Sequence, residues 1–280
     1  MIDTHCHIQF KAYKDDYEAV IKKCTDLGMI LNAVGTQQTT SAKAVEFAQK
    51  FDNVYATIGL HPVHLFPTYV DEAEGDAFVS RQENFDYEYY KQLGQNKKVI
   101  AIGECGLELF HIPEGKNEEE VLQKQRENFI LQYKLAQELN IPLVIHVRDA
   151  HAQMIDLLKS FNAKINGTIH CYTGNWEFAQ EYLALGLHLG FTGVITFPAK
   201  KTNPKPQWDL LEVVRNIPTD RMLVETDAPY LAPQAYRGQR CEPWMVLEVN
   251  KKIAEVKGMG LEEIAKLTHE NAARLFNLSP

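Results

Sequence analysis

The chain has 280 residues, 45% hydrophobic and 24% charged, the make-up of a globular enzyme with a substantial core. Its formal net charge of −8 argues against a broad basic surface gripping long nucleic acid through many phosphates, but leaves room for one anionic group bound beside cations. The opening MIDTHCHIQF has no basic n-region or long apolar run, and no stretch approaches the ~18 apolar residues of a membrane span.

Taken in chain order, short apolar or β-branched runs at 1–7, 29–36, 54–60, 99–104, 143–146, 167–170, 187–195 and 222–225 read as strands. Helical spacing marks 15–27, 41–51, Glu118–Leu139, 151–161 and 176–185. In Glu118–Leu139, Asn117 is the cap and Glu120 completes a capping box, with Leu122, Phe129, Ile130, Tyr133 and Ala136 at helical intervals. Residues 66–95, acidic and rich in tyrosine, read as a loop-containing excursion. Residues 261–278 read as a terminal helix broken at Thr268 or His269. Eight strands alternating with helices predict an α/β fold, a TIM-type (β/α)8 barrel with an additional C-terminal helix. Such a barrel takes about 250 residues, so 1–280 is expected to form a single domain. The five cysteines are odd in number and scattered, with no CxxC pair. That spacing fits free thiols in a reducing compartment, and the expectation is a cytoplasmic protein without membrane association or an obligate protein partner.

The chemistry gathers where these strands end. His5 and His7 are separated by one residue on the first strand, so both imidazoles face the same way. Glu104, His146 and His170 each close an apolar run, and Asp227 follows another. In a barrel these positions form the C-terminal face, where active sites sit. One zinc ion takes three or four protein ligands, so six residues mixing imidazole and carboxylate suit two divalent ions. Glu104 can give one oxygen to each ion. His5, His7 and Asp227 then complete one site and His146 with His170 the other, with Asp227 also placed to accept the proton of an attacking water. Imidazoles favour zinc, while the carboxylates leave room for magnesium or manganese.

Seven stretches carry a family resemblance: Asp-Thr-His-Cys-His at 3–7, Gly-Leu-His-Pro at 59–62, Gly-Glu-Cys-Gly-Leu at 103–107, Pro-Leu-Val-Ile-His-Val-Arg-Asp-Ala at 142–150, His-Cys-Tyr-Thr-Gly at 170–174, Glu-Thr-Asp-Ala-Pro-Tyr-Leu-Ala-Pro at 225–233 and Asn-Ala-Ala-Arg-Leu-Phe at 271–276. In this order, from end to end, the chain resembles the TatD-related deoxyribonucleases, a branch of the metal-dependent hydrolase barrels. The resemblance implies a divalent-metal nuclease acting on DNA, with His5, His7, Glu104, His146, His170 and Asp227 as ligands and Asp227 as a catalytic carboxylate. Two positions depart from the family pattern. Glu108 stands where an aspartate is usual, and Cys241 replaces an amide in the Arg240–Pro243 stretch.

Among weaker candidates, His61 can contact a phosphate oxygen or hydrogen-bond behind a ligand, and the planar fork of Arg148 suits a phosphate or a salt bridge that closes the rim. Arg237 and Arg240 lie in a glycine-containing loop that can receive an anion or remain solvated. Tyr172, Tyr230, Phe66 and Trp244 can stack on bases, although rim aromatics more often pack. Cys105 and Cys171 adjoin ligand candidates but should be turned away as inert thiols, and His111, His151, His188 and His269 carry no partner pattern. The leading reading is an exonuclease on single-stranded or frayed DNA ends, with RNA as the alternative substrate. A second is an amidohydrolase acting on a cyclic amide or nucleobase C–N bond; many two-metal amidohydrolases bridge their ions with a carboxylated lysine on the fourth strand, whereas here the nearest lysines, Lys97 and Lys98, precede that strand. A third is a non-catalytic barrel that binds metal or nucleic acid.

Overall fold

The alternation of strands and helices expected from the hydrophobic pattern is present in the computed structural model, which describes residues 1–67, 69–70 and 78–278. In chain order, β1 (Ile2–Cys6) leads to α1 (Tyr17–Asp26), β2 (Ile30–Val34) to α2 (Gln38–Lys50), and β3 (Val54–Ile58) to the excursion. There β4 (Tyr69–Val70) and β5 (Phe78–Val79) pair antiparallel before α3 (Tyr87–Leu93), while residues 68 and 71–77 of the excursion lie outside the described residues. The alternation resumes with β6 (Val99–Glu108), α4 (Glu118–Leu139), β7 (Leu143–Arg148), α5 (His151–Ser160), β8 (Gly167–Ile169) and α6 (Trp176–Ala184). It ends with β9 (His188–Phe191), α7 (Lys205–Asn216), β10 (Met222–Val224), α8 (Val246–Lys257) and α9 (Leu261–Leu275). The eight long-sheet strands run in the order β1-β2-β3-β6-β7-β8-β9-β10, the arrangement of a TIM-type parallel barrel with extra C-terminal helices.

Contacts divide the chain into two compact units, Met1–Asn32 with Thr168–Pro280, and Ala33–Gly167. In the first unit, β1 meets the chain leaving β10. The Asp227 amide donates to the His5 carbonyl at 2.9 Å, the His7 amide donates to the Ala228 carbonyl at 2.7 Å, and Cys6 bridges Ala228 in parallel register. Buried side chains reinforce the seam. Asp3 accepts from the Thr226 amide at 2.9 Å and its hydroxyl at 2.6 Å, while Thr4 donates to the Val224 carbonyl at 3.1 Å. The asparagine of the 271–276 motif fastens α9 beneath β10, its Nδ2 donating to the carbonyls of Thr219 at 2.7 Å and Met222 at 2.9 Å.

In the second unit, β6 is buried along its whole length between β3 and β7, with Gly106 opposite His146 and Glu108 opposite Arg148. A side chain at Gly106 would strike the His146 carbonyl, its Cβ coming within 1.8 Å of that oxygen, so only glycine lets the two strands approach this closely. Asn117 and Glu120 form the expected capping box at the start of α4. From the buried face of α4, two glutamines one heptad apart hold strand ends by their backbone. Gln125 accepts from the Glu108 amide and donates to its carbonyl, both at 2.9 Å, and Gln132 does the same to Leu60, again at 2.9 Å. A side-chain amide here replaces the strand partner that these peptide groups lack.

Three expectations need correction. The strand ending at Glu104 continues to Glu108, paired with β7 throughout its second half. The strand expected over 187–195 stops at Phe191, because the Thr192 hydroxyl accepts from the Val194 amide and starts a 3-10 turn over Gly193–Thr196. The terminal helix is unbroken at Thr268, whose hydroxyl donates to the Ile264 carbonyl one turn back at 3.0 Å, a bond the helix accommodates. Helices α3, α7 and α8 were not expected. Their apolar stripes are short or interrupted, as by the buried Asn250 in α8. All five cysteines are free, and among the described residues no helix is long and apolar enough to cross a membrane.

Leu60 is 1% exposed, so its peptide groups have no water to fall back on. Replacing Gln132 with leucine should cost on the order of 2–4 kcal/mol, from two buried groups left unpaired. Urea unfolding monitored by circular dichroism measures this; a midpoint equal to the wild type would show that the amide is not needed there.

Candidate metal centre

The first unit brings four of the six ligand candidates together. His5 and His7 project from and just beyond β1, His170 follows β8 and Asp227 follows β10. The Nε2 atoms of His5, His7 and His170 lie 3.7, 3.3 and 3.8 Å from the same carboxylate oxygen, Oδ1 of Asp227. His5 stacks on His170 with ring centroids 3.5 Å apart, and Phe10 covers His7 at 4.3 Å. Asp227 has φ of 60°, a left-handed conformation that an aspartate tolerates better than most residues. Burial opposes its charge, but the His7 hydrogen bond and the neighbouring His170 and His5 prevail and hold its carboxyl below the usual range.

Behind His170 stands Glu225, fully buried, whose Oε1 lies 2.9 Å from Nδ1 of the imidazole. The same carboxylate accepts from the Cys171 amide at 2.5 Å and from the Thr4 hydroxyl at 3.2 Å. With Nδ1 turned to Glu225, Nε2 of His170 is the nitrogen left facing Asp227. Sequence reasoning grouped His170 with His146; its contacts here are with His5, Asp227 and Glu225. It passed over Glu225, although a charged residue two positions before Asp227 at the end of an apolar strand was the available signal.

The second unit holds Glu104 and His146. Nδ1 of His146 lies 2.9 Å from Oε1 of Glu104, and Nε2 lies 3.1 Å from Oε2 of Glu108. The other oxygen of Glu108 accepts from Nδ1 of His111. Burial opposes a charged His146, yet the hydrogen bonds to Glu104 and Glu108 outweigh it and push its pKa up to about 10. Glu108 is held well below the usual carboxylate range, its burial outweighed by His111 and His146. His61 lies 3.5 Å from Glu104 through Nε2, while its Nδ1 accepts from the Val63 amide at 3.1 Å.

The remaining candidates fall into two groups. The guanidinium of Arg148 lies 3.6 Å over the ring of Phe110, which is 49% exposed, and exposed Arg237 lies 4.4 Å over Phe197. Tyr172, by contrast, is buried and donates its hydroxyl to the Asn175 carbonyl at 2.5 Å. Arg240 is tied to both oxygens of Asp16 at 2.9 and 2.6 Å, and Trp244 donates to Glu242 while Lys23 lies 3.5 Å over its ring. Cys105 is fully buried with its thiol toward the Val144 carbonyl, and that of Cys171 faces the Thr192 hydroxyl.

The donor chemistry fits divalent ions. His5, His7 and Asp227 in one unit, and His61, Glu108 and His146 in the other, each offer ligand atoms all within 4.8 Å of one another. Imidazole nitrogen and carboxylate oxygen are the ligand types that zinc and manganese share, and the carboxylates extend the range to magnesium.

Such donor sets at the strand ends of a TIM-type fold define a metal-dependent hydrolase. Residues 2–277 match the family described as TatD related DNase, and the chain belongs to that family. It is 39% identical over 282 residues to YabD of Bacillus subtilis, described as an uncharacterized metal-dependent hydrolase, with both chains covered in full. It is 32% identical over 291 residues to the 3'-5' ssDNA/RNA exonuclease TatD of Cronobacter sakazakii, again across all of both chains. Among solved structures, YjjV, a TatD homologue from Escherichia coli K12, is similar with a TM-score of 0.82 and 27% identity, covering 100% of this chain and 98% of that one.

The carboxylate of Glu225 fills the space where Gly190 would carry a side chain, and a Cβ there would lie 2.5 Å from Oε2. Gly190→Ala should therefore displace the carboxylate from His170 and destabilise the fold by roughly 1–3 kcal/mol. Thermal melts with and without added Mn²⁺ test it, the expected result being a lower melting point and a smaller stabilisation by metal than in the wild type.

Proposed function

We propose that the chain is a cytoplasmic phosphodiesterase that trims single-stranded or frayed DNA ends, with RNA as the alternative substrate. The observation that carries this reading is the convergence of three imidazole Nε2 atoms on one oxygen of Asp227, an arrangement of donors suited to holding a cation. Family membership supports a nuclease, and the exonuclease named in Cronobacter sakazakii supports action on strand ends. The acidic net charge favours binding an end locally over tracking along a duplex.

In this reading His5, His7, Glu104, His146, His170 and Asp227 would hold two divalent ions, magnesium, manganese or zinc. Bound there, the ions supply Lewis acidity toward the phosphodiester and the attacking water. Asp227, with 17% of its side chain reaching solvent, receives the proton of that water on its carboxylate. Glu225 keeps His170 in a single ring orientation, so Nε2 needs no reorganisation to act as a ligand. His61 and Arg148 contact the phosphate, Arg148 braced from behind by Phe110, and Arg237 offers a further cation to the substrate strand. Tyr172 shapes the wall through packing. The whole of 1–280 acts as one catalytic domain. Lys98, the nearest lysine to the fourth strand, is committed elsewhere, donating to the Asp52 and Val54 carbonyls at 2.7 and 3.2 Å, which leaves the amidohydrolase reading without its bridging group.

Labelled oligonucleotides incubated with the protein and Mg²⁺, Mn²⁺ or Zn²⁺ should release nucleotides from an end, and chelation should abolish release. No metal-dependent release from DNA or RNA would overturn the proposal. Asp227→Asn preserves the tolerance for φ of 60° and should lower kcat about 10²–10⁴-fold. Glu104→Gln should remove turnover; if it leaves turnover intact, Glu104 is not a ligand.

A further inference from the structure

We infer that Glu108, steadied by His111, is the positioning residue that orients His146 for metal binding. This rests on the reading of His146 as a ligand and extends it to His111, which has no role so far, and to Glu108, grouped above with the possible donors. Glu108 lies on β6 four residues after Glu104 and is 2% exposed. Its two oxygens are divided, Oε1 accepting from Nδ1 of His111 and Oε2 facing Nε2 of His146 at 3.1 Å. The opposite nitrogen of His146, Nδ1, faces Glu104 at 2.9 Å.

An imidazole has two nitrogens, and a metal takes only one. Ligand histidines commonly donate the other N–H to a carboxylate or carbonyl, which fixes tautomer and ring plane and strengthens the donor. His146 has that arrangement, with Glu104 on one nitrogen and Glu108 on the other. The first unit repeats it independently, Glu225 holding Nδ1 of His170 at 2.9 Å while Nε2 turns to Asp227. Two histidines on different strands are thus each backed by a buried glutamate. The glutamate side chain reaches between two imidazoles, and His111, with only 8% of its side chain exposed, supplies the second anchor. The position of Glu108 in the strand does not depend on its carboxylate, because Gln125 holds its amide and carbonyl. The side chain can therefore be changed without releasing β6.

The experiment titrates metal-free wild type, Glu108→Ala, Glu108→Gln and His111→Ala with Mn²⁺ by calorimetry, and records Co²⁺ absorption spectra and melting curves of each. Glu108→Ala should weaken one of the bound ions 10–100-fold, shift the Co²⁺ bands of that ion and leave the other ion unchanged. Glu108→Gln, which keeps an oxygen acceptor for the His146 N–H, should recover most of the loss, and His111→Ala should show a smaller loss at the same ion. Wild-type affinities and spectra in Glu108→Ala overturn the inference while leaving the metal-hydrolase reading standing. So does an equal loss of both ions with a lowered melting point in every variant, which marks a structural role. A wild type that binds no ion overturns both.

Discussion

The seam between β1 and the chain leaving β10 is the contact on which the first donor set depends. His5 and Asp227 belong to opposite ends of the chain, yet the Asp227 amide is hydrogen-bonded to the His5 carbonyl and the His7 amide to Ala228. Once those peptide groups pair, the side chains of His5, His7 and Asp227 have no freedom to be elsewhere. By strand alternation Thr4 points away from the imidazoles while Asp3 lies on their side, and both spend their polarity on the same seam, Thr4 on Val224 and Asp3 on Thr226. The Asp-Thr-His-Cys-His stretch is therefore two devices interleaved, one that closes strands and one that offers donors suited to a cation.

A second theme is that buried polar atoms here hold other polar atoms in place. Glu225 serves His170, the Cys171 amide and Thr4 with one carboxylate, and Gln125 and Gln132 give strand-end peptide groups the partners a sheet edge lacks. In a low-dielectric interior each such group is costly alone and rigid when satisfied. That rigidity is what a metal site requires, since donors that are already aimed need not be reorganised when an ion arrives. Catalytic geometry and fold stability are drawn from the same hydrogen bonds, and Gly190 shows how tightly, leaving space for Glu225 only because it has no side chain.

Much of the architecture was legible in one sequence because strand and helix periods are local. The eight strands were located to within a few residues, and α4 was predicted from Glu118 to Leu139, the span it occupies, its capping residues lying within three positions of each other. The errors also have local causes. Glu104 looked like a strand end because it closes an apolar run, whereas pairing with β7 carries the strand on to Glu108. Helix α9 looked broken because threonine is a weak helix former, and its hydroxyl found a carbonyl one turn back.

The sequence by itself determined which residues could bind metal: polar, ligand-competent side chains at the ends of apolar strands, in a family order that runs the length of the chain. It could not say which nitrogen of each histidine faces which carboxylate, nor that Glu225 lies beside His170 and Glu108 beside both His146 and His111. Those choices are set by side chains that meet across the strand–strand and strand–loop contacts of the folded chain, where a hydrogen bond of about 3 Å selects one tautomer over another. Periodicity reports which face a residue occupies. Only packing decides what it faces.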